Sequence, residues 1–90
     1  MPVYLVCYDL NKKGQNYECL YEKIKRYSGY TYVQDSVWAV YSDKTSSGVV
    51  DDLKTCLDGN DFLFVTEVTS NTCWITNKPK ISEWIKNHVE

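Results

Sequence analysis

The chain opens on Val3-Tyr4-Leu5-Val6-Cys7-Tyr8, a run with no charged position, and then breaks into Asp9-Leu10-Asn11-Lys12-Lys13-Gly14. Side chains alternate along a strand, so Val3, Leu5, Cys7 and Asp9 share one face and Tyr4, Val6, Tyr8 and Leu10 share the other. A strand without a polar face belongs inside a sheet that is covered on both sides. Asp9 therefore stands at the rigid exit of a buried strand, where a carboxylate can meet a metal or a phosphate. The bland alternative is an Asx turn, in which that carboxylate accepts backbone N–H groups of Asn11 or Lys12.

Beyond the Asn11–Gly14 turn the period changes. Tyr17, Leu20, Tyr21, Ile24 and Tyr27 recur at helical spacing, with Glu18, Glu22, Lys23, Lys25 and Arg26 opposite them. Asn16 is a candidate cap, Glu22 and Arg26 a candidate i,i+4 pair, and Ser28-Gly29 a stop. Tyr30 to Gln34 and Ser36 to Ser42 read as two strands of a hairpin joined at Asp35-Ser36. Thr45-Ser46-Ser47-Gly48 offers caps for a second helix with Val49, Val50, Leu53, Cys56 and Leu57 inward. Asp51 and Asp52 are placed near its positive end, and Asp58-Gly59-Asn60 stops it. Phe62 to Val68 is a fourth strand, apolar on both faces except at Glu67. A turn at Thr69-Ser70-Asn71 and a short extension at Cys73-Trp74-Ile75 follow. Asn77-Lys78-Pro79 then starts a terminal helix with Ile81, Trp84, Ile85 and His88 or Val89 inward.

The resulting β-α-β-β-α-β order with a helical tail is the split-βαβ, or ferredoxin-like, α+β pattern, expected to form one domain over residues 1–90. Both inner helices then cover the same sheet face. The opposite face is expected to stay bare although β-strand residues there are apolar, and a second copy of the chain is the simplest cover.

Composition narrows the function. The formal charge is −2, so no broad electropositive footprint for nucleic acid is present, although a local basic patch is open to Lys12, Lys13, Lys78 and Lys80, which are all expected in turns. No segment approaches a membrane span or a signal peptide, which predicts a cytoplasmic protein. The four cysteines contain no CxxC pair and His88 is the only histidine, so a structural zinc site is not expected. Cys7, Cys19 and Cys56 lie at apolar-periodic positions and read as buried free thiols.

Several runs carry a family resemblance. Tyr4-Leu5-Val6-Cys7-Tyr8-Asp9-Leu10-Asn11-Lys12, Gly14-Gln15-Asn16-Tyr17, Asp35-Ser36-Val37-Trp38 and Leu57-Asp58-Gly59-Asn60-Asp61 resemble the SinR-like branch of small ferredoxin-fold proteins. That branch is similar to the CRISPR-associated adaptation subunit Cas-two and to the VapD-type toxin nucleases. The resemblance spans roughly Pro2 to Trp84. It implies a homodimer in which two Asp9 side chains approach a two-fold axis, hold Mg²⁺ or Mn²⁺ and direct phosphodiester hydrolysis of RNA or DNA. Asn11 and the Ser36 hydroxyl match neighbouring positions.

The residues themselves also support a non-catalytic module. Tyr30, Tyr32, Trp38 and Tyr41 lie on the hairpin and can stack bases or pack at a dimer interface. With Lys12, Lys13, Lys78 and Lys80 they would bind nucleic acid, a nucleotide-sized ligand between protomers, or a protein partner, as a virus-encoded sequestering or inhibitor protein would. Lys12 and Lys13 are otherwise an ordinary solvated turn.

Overall fold

The all-apolar opening run forms strand β1, Val3–Asp9, and it takes the interior position that its pattern predicts. In the computed structural model, which describes residues 1–10 and 17–89, β2 (Gly29–Gln34), β3 (Val37–Tyr41) and β4 (Phe62–Val68) complete a four-stranded sheet. The strand order is β2-β3-β1-β4 and every neighbouring pair is antiparallel. Tyr4, Val6 and Tyr8 therefore line up with Val40, Trp38, Val65 and Leu63, while Val3, Leu5 and Cys7 line up with Tyr41, Ala39, Val37, Val68 and Phe64.

Helix α1 (Tyr17–Ile24) joins β1 to β2, and α2 (Ser46–Leu53) follows β3. Leu20 and Ile24 of α1 and Val49 and Leu53 of α2 close over Tyr4, Val6, Tyr8, Leu10 and Val40 in one core. Each such aliphatic side chain contributes roughly 1.5–3 kcal/mol by leaving water. The Thr45 hydroxyl caps α2 by accepting the Gly48 N–H at 3.0 Å. A 3-10 turn, Lys54–Cys56, ends that segment before β4.

Helix α3 (Pro79–His88) changes the picture of the second face. Its Ile81 and Ile85 pack against Val3, Ala39 and Val68, so the face expected to be bare carries its own core. Pro79 fits the first turn of α3, where its missing N–H is no loss. Close approach is secured at Gly29, where an added Cβ would lie 3.2 Å from the Tyr41 Cβ and 3.4 Å from the Trp84 ring. Trp84 stacks on His88 with ring centroids 4.1 Å apart, and His88 meets the Tyr41 ring edge-on.

Two local expectations are corrected. Cys19 and Cys56 are not free thiols: a disulfide links α1 to the 3-10 turn across 37 residues, with Cα atoms 5.7 Å apart. Cys7 and Cys73 remain free. Asp51 and Asp52 do not sit at the positive end of a helix, because α2 begins at Ser46 and places both in its second half. Side-chain partners explain them instead. Asp51 pairs with Lys54 at 3.1 Å, and Asp52 with Lys23 at 3.4 Å.

Among the described residues, no helix is long and apolar enough to cross a membrane.

Candidate functional site

Asp9 is exposed at the last position of β1 and faces Phe62 across the β1–β4 pair. Two residues earlier on the same face, Cys7 lies between Val37 and Phe64. The α3 core gathers Val3, Ala39 and Val68 and reaches Val33 beside the β2–β3 turn, but it leaves Phe62 and Phe64 on the β4 side outside. Phe62 and Phe64 are consequently 69% and 66% exposed, values that two phenylalanines on a strand rarely show without a partner. Partial burial pushes the Cys7 thiol above its usual range, so it is a poor thiolate nucleophile.

Ser36 joins Asp9 at this end. It occupies the left-handed region, with φ of 60°, in the tight connection between β2 and β3, and its carbonyl accepts the Tyr8 N–H at 3.1 Å. A non-glycine residue held there is strained by roughly 1–3 kcal/mol. A shift in register between Tyr32 and Gln34 precedes the turn. Asn11, Lys12 and Lys13, the other candidate ligands, lie outside the described residues, as does any Asx arrangement made with them.

Trp38 belongs to a different surface. It pairs with Val6 across the sheet, so it points to the α1 face, whereas Asp9 shares the face of Cys7 and Phe64. The Trp38 indole N–H donates to the Tyr8 hydroxyl at 3.2 Å, and Tyr8 in turn donates to Tyr21 at 3.4 Å. Tyr21, Tyr30 and Tyr32 place their ring centroids 5.7, 6.2 and 5.6 Å from Trp38. Burial, with the Tyr21 hydrogen bond second, drives the Tyr8 phenol well above its usual range. Tyr30 and Tyr32 stay partly exposed, and the Lys78 ammonium stands 5.5 Å over the Tyr32 ring. The fourth hairpin aromatic, Tyr41, is separated from this platform and lies under α3 beside His88.

Among the described residues, no group of three His, Cys, Asp or Glu side chains gathers to hold a metal ion. One chain thus brings a single strand-end carboxylate, Asp9, to its exposed face. A cluster that sequence reasoning missed lies elsewhere, at the junction of α1 and α2. The Tyr27 hydroxyl donates to Asp52 at 2.7 Å, and Lys23 takes the other carboxylate oxygen at 3.4 Å. Burial and then the Asp52 contact raise the Tyr27 phenol far above its usual range. Lys23 and Asp52 are 29 positions apart, so no local pattern connects them. Comparison with family models, with characterised proteins and with solved structures finds no match to this chain.

Proposed function

We propose that the chain is a ferredoxin-like, Cas-two-like homodimer acting as a divalent-metal-dependent endonuclease on RNA or DNA, with the two Asp9 carboxylates side by side at the two-fold axis. The observation that carries this reading is the exposed β4 side of the second sheet face, where Asp9 lies opposite Phe62 and beside Phe64. A second copy placed there buries both phenylalanines and brings a second carboxylate. The strand order and the two helices on one face support the ferredoxin-like part.

One carboxylate is too little for a cation, but two carboxylates with waters and substrate phosphate oxygens suit Mg²⁺ or Mn²⁺. A cation held by that pair supplies charge neutralisation at the scissile phosphate and a more acidic bound water. The chain's own part is positioning: the backbone of Asp9 is fixed by the β1–β4 ladder, and the Ser36 backbone is held at the same sheet end by its bond to Tyr8. Wild type and Asp9→Asn incubated with labelled RNA and DNA, with Mn²⁺ or with chelator, test it. Metal-dependent cleavage lost in Asp9→Asn is the expected result. Equal background in every sample overturns the enzyme.

The aromatic platform favours a second reading, a non-catalytic binding module. Tyr30, Tyr32 and Trp38 with Lys78 offer ring faces and a cation of the kind that stack a nucleobase. Under that reading Trp38→Ala abolishes nucleotide binding while Asp9→Asn leaves it intact.

The Cys19–Cys56 bond weighs against the reducing cytoplasm expected from the sequence, since disulfides persist mainly in oxidising surroundings. Alkylation of protein taken directly from cells decides the matter. Two reactive thiols mean that the bond is kept, and four mean that it is open.

A further inference from the structure

A second concave site lies away from Asp9, at the opposite end of the sheet on the helix-covered side. Lys23, Arg26, Tyr27 and Ser28 from the end of α1 and the turn after it face Ser42, Asp43 and Lys44 from the β3–α2 connection, with Asp52 between them, around a cavity of about 290 Å³. Three cations against two carboxylates leave this hollow positive in a chain whose formal charge is −2.

Its floor is neutral and fixed. Both Asp52 oxygens are taken, one by the Tyr27 hydroxyl and one by Lys23. Arg26 and Lys44 form no ion pair among the described residues, so they are the charges left over. The Lys44 backbone is anchored on both sides: its N–H donates to the Ser42 hydroxyl oxygen at 3.0 Å, and its carbonyl accepts from Tyr4 at 2.7 Å. Ser42 is the one buried polar residue of the described chain, 5% exposed, and its oxygen already accepts from Lys44. Its own O–H has no acceptor among the described residues, although it lines the cavity. That places a hydroxyl donor within the cavity.

The geometry points to a phosphate-binding site, built for a small phosphomonoester or free phosphate. Arg26 and Lys44 answer the charge, the Ser42 and Ser28 hydroxyls donate to its oxygens, and the neutral Lys23–Asp52–Tyr27 floor keeps the opposing carboxylate occupied. The volume sits at the lower limit for organic ligands and accommodates a phosphate with a few attached atoms. Asp43 on the exposed rim works against the anion, which limits affinity.

The test is a titration of ¹⁵N-labelled protein with inorganic phosphate and with glycerol phosphate, against chloride at matched ionic strength. Saturable shifts centred on the amides of Arg26, Ser28, Ser42 and Lys44 are expected. Arg26→Ala and Lys44→Ala should each weaken binding about tenfold, as loss of one charged hydrogen bond does. Asp43→Asn should tighten it. Whichever compound binds more tightly identifies the source, free phosphate or an ester. Shifts that never saturate, or a dissociation constant unchanged in the Arg26→Ala/Lys44→Ala double variant, overturn the site. All three substituted side chains are exposed, so the variants keep the core that folds the chain.

Discussion

The two faces of the sheet are built from the same strands yet finished differently. On one face two helices lay Leu20, Ile24, Val49 and Leu53 over Tyr4, Val6, Tyr8 and Val40, and the Cys19–Cys56 bond ties the outer ends together. On the other, a single terminal helix covers Val3, Ala39 and Val68 and stops short of Cys7, Phe62 and Phe64. The first face is closed by the chain's own helices. The second divides its strands between stability and an open apolar surface, and the acidic strand end lies in the open part.

That contrast sets the size of the mutational effects. Leu53→Ala on the closed face should cost near the top of the ~2–5 kcal/mol range for buried leucines, and Ile85→Ala under α3 near its bottom, as chemical denaturation will show. Reduction of the Cys19–Cys56 bond should remove roughly 2–4 kcal/mol, because a long loop in the unfolded chain is released. A melting temperature unchanged by reductant would contradict that contribution of the Cys19–Cys56 bond.

Phenols extend the comparison to pH. Tyr8 and Tyr27 both lie on the closed face with folded-state acidities weakened by burial first and hydrogen bonding second. For such groups the stabilisation is fully present below the ordinary phenol value of 10.0 and is lost as pH rises above it, since only the unfolded chain can then ionise. Stability should therefore fall steeply above about pH 10, and Tyr27→Phe should flatten that fall while costing about 1–2 kcal/mol at neutral pH. On the open face the smallest stability changes are expected. Phe64→Ser should alter monomer stability by less than about 0.5 kcal/mol while abolishing the proposed pairing of two chains. Ser36→Gly should raise stability by about 1 kcal/mol, by relieving the left-handed backbone.

Much of this architecture was legible along the chain. The charge-free run at Val3–Tyr8 announced an interior strand, the Thr45 cap announced α2, and Pro79 announced α3. What failed depended on long-range pairing. An amphipathic stripe at Ile81 and Ile85 says that a helix is buried, not which sheet face it covers. Helical spacing reads Cys19 and Cys56 as small apolar residues, and nothing local announces that two such positions 37 residues apart meet. Asp51 and Asp52 were misread because a cap run of four polar residues leaves the first helical turn undefined. The start at Ser46 moves both to the far end. For the candidate site, alternation correctly set Asp9 among Val3, Leu5 and Cys7. The register with β3 alone sends Trp38 to the opposite side.

The most direct measurement is oxidative cross-linking of Asp9→Cys in a chain whose Cys7 and Cys73 are replaced by serine, read by intact mass. A dimer joined through position 9, formed rapidly at micromolar protein and suppressed by Phe64→Ser, is the predicted result. A chain that stays at its single mass of 10.5 kDa under the same oxidation, while wild type also sediments as one chain, would contradict the meeting of two acidic strand ends.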